Sequence, residues 1–238
     1  MTDSSNSTLS RGYTVALISA VLFSATAIFI RYLTVHHNMP PLVLAFWRDA
    51  FVALTMLIVL VRLRPALLRV DRPRLVYLAI YGLVLAFFNI LWTLSVALNG
   101  AAVATVLAYC SAAFTALLGW WLLHERLDGA KLLAVTLCLG GCVLVAEAFD
   151  AEAWKSNLGG IVTGVLSGLG WASYSLLGRS ASQRGLSPWT TLFYTFGIAA
   201  VYLLILVPLL GPLLPDNVNN SPDLLWLGDS LTGWGVMF

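Results

Sequence analysis

Charge is what this sequence has least of. Of its 238 residues only 10% are Asp, Glu, Lys or Arg, while 60% are apolar. A soluble domain carries about a quarter charged residues, so this chain lacks the means to build an ordinary water-facing surface. Cysteine is scarce as well, with Cys110, Cys138 and Cys142 as the three in the chain. All lie in apolar stretches. Cys138 and Cys142 are spaced to share a helix face, but the spacing is neither a zinc nor a redox motif; they read as small packing residues. The three histidines, His36, His37 and His124, fall near predicted helix ends. No Walker-type phosphate loop is present. A signal peptide does not account for the apolar excess, because apolar stretches recur along the whole chain. The first, Gly12 to Ile30, is too long for a signal h-region and no convincing cleavage pattern follows it.

What is present is a series of long apolar runs. A bilayer-spanning helix needs about 20 mostly apolar residues. Spans are predicted near 12–31, 42–61, 75–98, 101–123, 130–147, 158–178 and 188–207, and an eighth begins near 224–230 and is cut off at Phe238. Turn signals punctuate them: Pro40-Pro41, Asn99-Gly100, Pro208 with Gly211-Pro212, and the polar run Asp216 to Pro222. Backbone groups in lipid must be satisfied within their own segment, so runs of this length are helices. A β-barrel would show short alternating segments instead.

The basic residues are distributed unevenly. Arg11 precedes the first span. Arg62, Arg64, Arg69, Arg72 and Arg74 lie between spans two and three, Arg126 and Lys131 between four and five, and Arg179 and Arg184 between six and seven. With alternating spans these ten share one side, and the other holds Arg31 and Lys155 beside Asp150, Glu152, Asp216 and Asp223. The excess of Lys and Arg marks the cytoplasmic side. The expectation is a cytoplasmic amino terminus, a tail over 1–11 and a periplasmic linker over 148–157.

Sliding the sequence by 148 residues against itself, without gaps, exposes an internal repeat. Gly12 meets Gly160, Ser19 meets Ser167, Arg31 meets Arg179, Pro40 meets Pro188, Leu44 meets Leu192 and Val59 meets Val207. Phe23 meets Trp171. A small-residue ridge recurs as well: Gly12, Ala16, Ala20 and Ser24 align with Gly160, Gly164, Gly168 and Ala172. Residues four apart share a helix face, and small residues there let helix backbones approach. Five spans per copy is an odd number, so the second copy enters the membrane from the opposite side. That is the inverted repeat of secondary transporters, whose substrate site lies near the midplane. The expected fold is all-α and polytopic, two inverted five-helix repeats of which about eight helices are present. The first repeat covers 12–147. The second covers 158–238 and is truncated in its third helix.

Pro41, Arg48 and Ala53 in span two, the run from Ala101 through Leu123 into His124-Glu125-Arg126-Leu127, Gly140-Gly141 in span five, and Gly160 with Trp171 in span six carry a family resemblance. In this order and spacing the chain resembles an EamA-type member of the drug/metabolite transporter superfamily, over about residues 12–238. Within that superfamily it is most similar to bacterial aromatic amino-acid exporters. The resemblance implies ten helices in two inverted halves and no bound cofactor, nucleotide or metal. Its partners would be a small-molecule substrate and the lipid bilayer rather than nucleic acid, with monomer and dimer both open. It also implies a bacterial inner membrane.

Several residues stand out as candidates. Arg48 and Asp49 form a charged pair inside span two, roughly 10 Å from its start at about 1.5 Å per residue. Ionisable groups at that depth face a cavity or a partner. Arg48 therefore reads either as a contact for a substrate carboxylate or as half of a structural pair, and Asp49 either as a charge relay or as the other half. Asn89 lies deep in span three with Trp92 one turn on; its amide must find a partner, either substrate or a neighbouring helix. Tyr109, Trp171 and Tyr174 line an aromatic cavity or serve as interface anchors. Ala20, Ser24, Gly160, Gly164 and Gly168 are the candidate packing and hinge positions. Glu125-Arg126 reads as an ion pair or helix-end clamp.

These features favour secondary transport of small metabolites, amino acids including aromatic ones, directed outward by alternating access. A passive channel or facilitator for polar metabolites is the second reading. An intramembrane hydrolase is the third and weakest. Ser167-Gly168 invites comparison with a rhomboid serine, but Val165 stands where that motif wants glycine, and no predicted span holds a histidine base. An aspartyl protease would need two facing aspartates, and Asp49 alone is clearly embedded, with Asp229 ambiguous.

Overall fold

The computed structural model describes residues 3–37, 39–124, 128–145, 151–210 and Gly235. Glu125-Arg126-Leu127, the start of the 148–157 linker and the expected eighth span lie outside the described residues. The helices are α1 Asp3–His36, α2 Pro41–Leu63, α3 Arg72–Asn99, α4 Ala101–Ala108, α5 Cys110–Leu123, α6 Gly129–Val145, α7 Ala151–Gln183 and α8 Pro188–Leu210, with a 3-10 turn at Pro65–Leu68. No strand occurs among the described residues. Among the described residues six helical stretches are long and apolar enough to cross a membrane: Leu17–His36, Pro41–Leu63, Arg72–Asn99, Ala101–Trp121, Asn157–Gln183 and Pro188–Leu210; Gly129–Leu144 is a shorter apolar helix. The protein is an all-α polytopic membrane protein.

Proline sets several helix starts. Pro40 is extended (φ −63°, ψ 127°) and Pro41 opens α2; Pro188 opens α8. A proline at the first turn gives up an N–H that would have no intrahelical partner anyway. The α3–α4 corner is made by Gly100 at φ 82°, a left-handed value that suits glycine.

Helix α3 is the centre of the assembly. Half of its most apolar window is buried, against a fifth to a third for the other spans. It packs on α7 and α8, while α2 packs on α8 and both α4 and α5 pack on α7. The main core joins Val43 and Ala45 of α2, Leu85, Ala86 and Val96 of α3, and Ala199, Leu203 and Val207 of α8. Large apolar side chains such as Ile58, Leu137 and Ile205 stay exposed, as a surface facing lipid tails requires.

Four boundaries differ from the sequence expectation. Residues 3–11, expected as a tail, continue α1; no proline or glycine interrupts them, and Asp and Ser suit a helix start. The 148–157 linker contains the first turns of α7, which begin at Ala151 and break at Asn157 (φ −141°, ψ 33°). Asn157 leaves the helical region as its side-chain amide donates to the Asn99 Oδ1 at 2.7 Å. Span four is interrupted at Tyr109, whose N–H is shared between the carbonyls of Thr105 and Val106 and whose own carbonyl accepts the Cys138 thiol at 3.1 Å. Pro208, expected to end span seven, lies inside α8, which runs on to Leu210. A proline near a helix end removes one hydrogen bond without ending the helix.

Candidate functional site

A cavity of about 300 Å³ opens between α1, α3, α4, α5 and α7. Helix α1 contributes Ala20, Ser24 and Ala27, and α3 contributes Phe88 and Trp92. Thr105, Ala108, Tyr109 and Ser111 flank the break in span four, and Trp171 comes from α7. The wall therefore combines the aromatic rings of Phe88, Trp92 and Trp171 with the hydroxyl-bearing Ser24, Thr105, Tyr109 and Ser111. The Ser24 hydroxyl donates to the Val21 carbonyl at 2.7 Å and that of Thr105 to the Ala101 carbonyl at 2.6 Å. Each oxygen retains acceptor capacity. The interruption at Tyr109 brings Tyr109 and Ser111 to the wall together, and Tyr109 is 63% exposed.

Beside the cavity sits a polar triad. Arg48 Nη2 donates to Asn89 Oδ1 at 2.5 Å, and Asn89 Nδ2 donates to Asp49 Oδ2 at 2.6 Å. Arg48 Nε lies 3.7 Å from Asp49 Oδ1, with the Asp49 side chain fully buried and that of Arg48 21% exposed. A single amide thus bridges two adjacent charged residues of α2, using its acceptor for one and its donor for the other. This also resolves their angular offset: neighbours about 100° apart on a helix cannot face one group squarely, but Asn89 reaches both from α3. Arg48 Cζ then lies 5.4 Å from the centroid of Trp92, within range of a cation–π attraction. Arg48, Asp49 and Asn89 are absent from the cavity wall; Trp92 stands between them and it.

The family comparison decides the class. The model of the EamA-like transporter family matches residues 10–146, more than half of the chain. The chain belongs to the EamA-like transporter family. It is 22% identical over 231 residues to an "Uncharacterized transporter" of Clostridium kluyveri, spanning 92% of this chain and 73% of the relative. It is 27% identical over 216 residues to a "Probable amino-acid metabolite efflux pump" of Escherichia coli K12, spanning 84% of this chain and 68% of that relative. No solved structure matches the chain.

In this EamA-family protein the aromatic residues form a continuous column along the α3–α7 interface. Ring centroids are 6.1 Å apart for Phe88 and Trp92, 5.1 Å for Phe88 and Trp171, 5.6 Å for Trp171 and Tyr174 and 4.8 Å for Tyr174 and Tyr81. Separations of this size suit offset and edge-on ring pairs. The column ends at Tyr77, whose hydroxyl donates to the Leu177 carbonyl at 2.6 Å and whose ring carries Arg184 at 4.5 Å. Of the expected aromatic residues, Trp92, Tyr109 and Trp171 reach the cavity, and Tyr174 lies one layer further along the column. Phe88, Thr105 and Ser111 were not singled out from sequence. Phe88 carries no polar signal, and the two hydroxyls are common in apolar helices.

The two small-residue ridges sit in different surroundings. On α7, a Cβ added at Gly164 would meet Leu107 Cδ1 at 2.6 Å and Ser95 Oγ at 2.9 Å, and one at Gly168 would meet the Ser111 nitrogen at 3.1 Å and the Ala108 oxygen at 3.2 Å. At Gly160 it would collide with the Asn99 and Asn157 side chains. On α1, Ala20 and Ser24 face the cavity. The Ser167 hydroxyl, fully buried, donates to the Gly164 carbonyl at 2.7 Å within its own helix. That arrangement does not resemble an activated nucleophile.

The three cysteines converge between span four and α6. Cys110 Sγ and Cys142 Sγ are 3.0 Å apart, and Cys142 points at the Val106 carbonyl at 3.4 Å. They are small packing residues whose thiols also satisfy carbonyls near the Tyr109 break.

Proposed function

We propose that this protein exports small metabolites, amino acids with aromatic side chains among them, across a bacterial inner membrane by alternating access between inverted halves. The observation that carries the reading is the cavity itself, walled by Phe88, Trp92 and Trp171 and faced by the hydroxyls of Ser24, Thr105, Ser111 and Tyr109. An aromatic side chain finds ring faces in this lining, while an amino or carboxyl group finds hydroxyl partners. The efflux-pump relative supports export of amino-acid metabolites. The 148-residue repeat, which pairs α1 with α7 and α2 with α8, supports inverted halves. Arg48, held 5.4 Å from the Trp92 ring that lines the cavity, helps position a substrate carboxylate.

The test is counterflow of radiolabelled phenylalanine in liposomes holding the complete protein. Uptake should saturate and be competed by aromatic amino acids. Flux proportional to concentration without saturation would favour the channel reading. In Trp171→Ala the apparent KM should rise about tenfold or more, since loss of a stacked ring removes on the order of 1 kcal/mol beyond its contact area. An unchanged KM would place substrate elsewhere.

Orientation has its own test. With the native cysteines replaced, Arg69→Cys should resist a membrane-impermeant maleimide applied to intact cells, and Glu152→Cys should react. The ten-to-two division of basic residues motivates this outcome, and the reverse labelling pattern would invert the topology.

A further inference from the structure

We propose that Asn99 and Asn157 form the outer gate of the transport path, a hydrogen-bonded clasp that must open each time the cavity faces outward. The proposal rests on the transport reading above. Asn157 Nδ2 donates to Asn99 Oδ1 at 2.7 Å, and Asn99 Nδ2 donates to the Gly160 carbonyl at 2.7 Å and to Ser95 Oγ at 2.9 Å. Beside them, Arg31 Nη1 donates to the Ala97 carbonyl at 2.7 Å. The cluster therefore ties the end of α3 to α7 through the two asparagines and to α1 through Arg31. These are three of the helices that wall the cavity. Asn99 lies seven residues beyond Trp92 on α3, about 10 Å further along the helix axis, and Arg31 lies four beyond Ala27. The clasp thus closes the cavity on the side opposite the Arg-rich 62–74 segment.

Its chemistry suits a gate. At the other end of the α3–α7 contact the helices are joined mainly by tilted tyrosine rings packed around buried Leu78 and Tyr81, with one hydrogen bond from the Tyr77 hydroxyl to the Leu177 carbonyl. The clasp instead consists of amide and carbonyl hydrogen bonds between part-buried groups. Such bonds exchange with bonds to water at a small net difference, so the clasp itself can open at little cost. Both asparagines also adjoin backbone irregularities. Gly100 follows Asn99 at φ 82°, and Asn157 is the non-helical point inside α7. Hinges are residues of this kind, at element ends, that absorb changes of φ and ψ. Gly160 completes the closure, since the notch above its Cα is filled by the two side-chain amides.

The test is a reversible cross-link in the complete protein, carrying Asn99→Cys and Asn157→Cys with Cys110, Cys138 and Cys142 changed to Ala. Oxidation by copper phenanthroline should join the pair, with loss of two free thiols, and slow counterflow at least tenfold; dithiothreitol should restore it. Counterflow that is equally fast in the cross-linked state overturns the gate, and so does a pair that does not cross-link. Should the reduced double variant be inactive, Ser95→Cys in the same cysteine-free background gives a second reading. Saturating substrate should change its labelling from outside by an impermeant maleimide at least threefold, and a rate indifferent to substrate overturns the proposal. Counterflow absent from the unmodified protein would sink the transport reading instead, and the gate with it.

Discussion

Gly164→Leu and Gly168→Leu should each abolish transport. At Gly168 even a Cβ meets the Ser111 nitrogen at 3.1 Å and the Ala108 oxygen at 3.2 Å. These are backbone atoms of the interrupted span four and cannot rotate aside as a side chain would. At Gly164 the obstacles are closer: Leu107 Cδ1 at 2.6 Å and Ser95 Oγ at 2.9 Å can turn aside, but Leu107 Cβ at 2.9 Å is fixed to its backbone. Overpacking of this kind destabilises by about 1–3 kcal/mol. For a chain of this length that corresponds to a melting temperature lower by roughly 2–12 °C. The functional loss should exceed the loss of stability, because the helices pushed away carry Thr105, Tyr109 and Ser111 of the cavity wall. Gly197→Ala is the matched control: its added Cβ would meet only Ala53 Cβ, at 3.7 Å, an ordinary contact. Thermal melting and counterflow measured on all three variants check the prediction. Normal transport with an unchanged melting temperature in both leucine variants would mean that the α7 ridge does not hold this packing.

The spans were legible because a bilayer imposes length and composition together. Long uncharged runs with Pro40, Pro188 and the Asn99-Gly100 pair between them left few alternatives for where helices start and stop. Features set by tertiary contact were not legible. Nothing between Ala101 and Leu118 is a proline or glycine, so the interruption at Tyr109 has no local signal; it appears where the Cys138 thiol takes up the Tyr109 carbonyl. Asn157 reads in sequence as an ordinary linker residue, and its meaning depends on Asn99, 58 positions earlier. At the cavity, the sequence marked Trp92, Tyr109 and Trp171 by residue type and depth. Whether a ring faces the cavity or a neighbouring helix depends on helix rotation, which separates Trp171 on the wall from Tyr174 in the next layer. The apolar members of the wall, Ala27, Phe88 and Ala108, resemble every other residue that faces lipid or core.

Arg48→Ala should stop transport and, unlike the other site variants, should also lower stability sharply. Removing the guanidinium leaves the fully buried Asp49 carboxylate with only the Asn89 amide bonded to it. Breaking a buried ion pair on one side costs about 3–5 kcal/mol, mostly because a charge is left uncompensated. A loss of transport in this variant alone would therefore not distinguish a site role from a structural one. The double variant Arg48→Ala/Asp49→Asn separates them. With the carboxylate neutralised there is no orphan charge, and the amide that replaces it can still pair with Asn89. Melting temperature and expression should return most of the way to those of the unmodified protein, while counterflow of phenylalanine stays reduced at least tenfold. Arg48→Lys should fall between, keeping the charge but losing the planar fork that spans Asn89 and Asp49. If the double variant both folds and transports normally, the role of Arg48 is to offset Asp49 and no more. The carboxylate partner should then be sought among Ser24, Thr105, Tyr109 and Ser111 on the wall itself. If it folds and fails to transport, the positive charge behind Trp92 is part of the site.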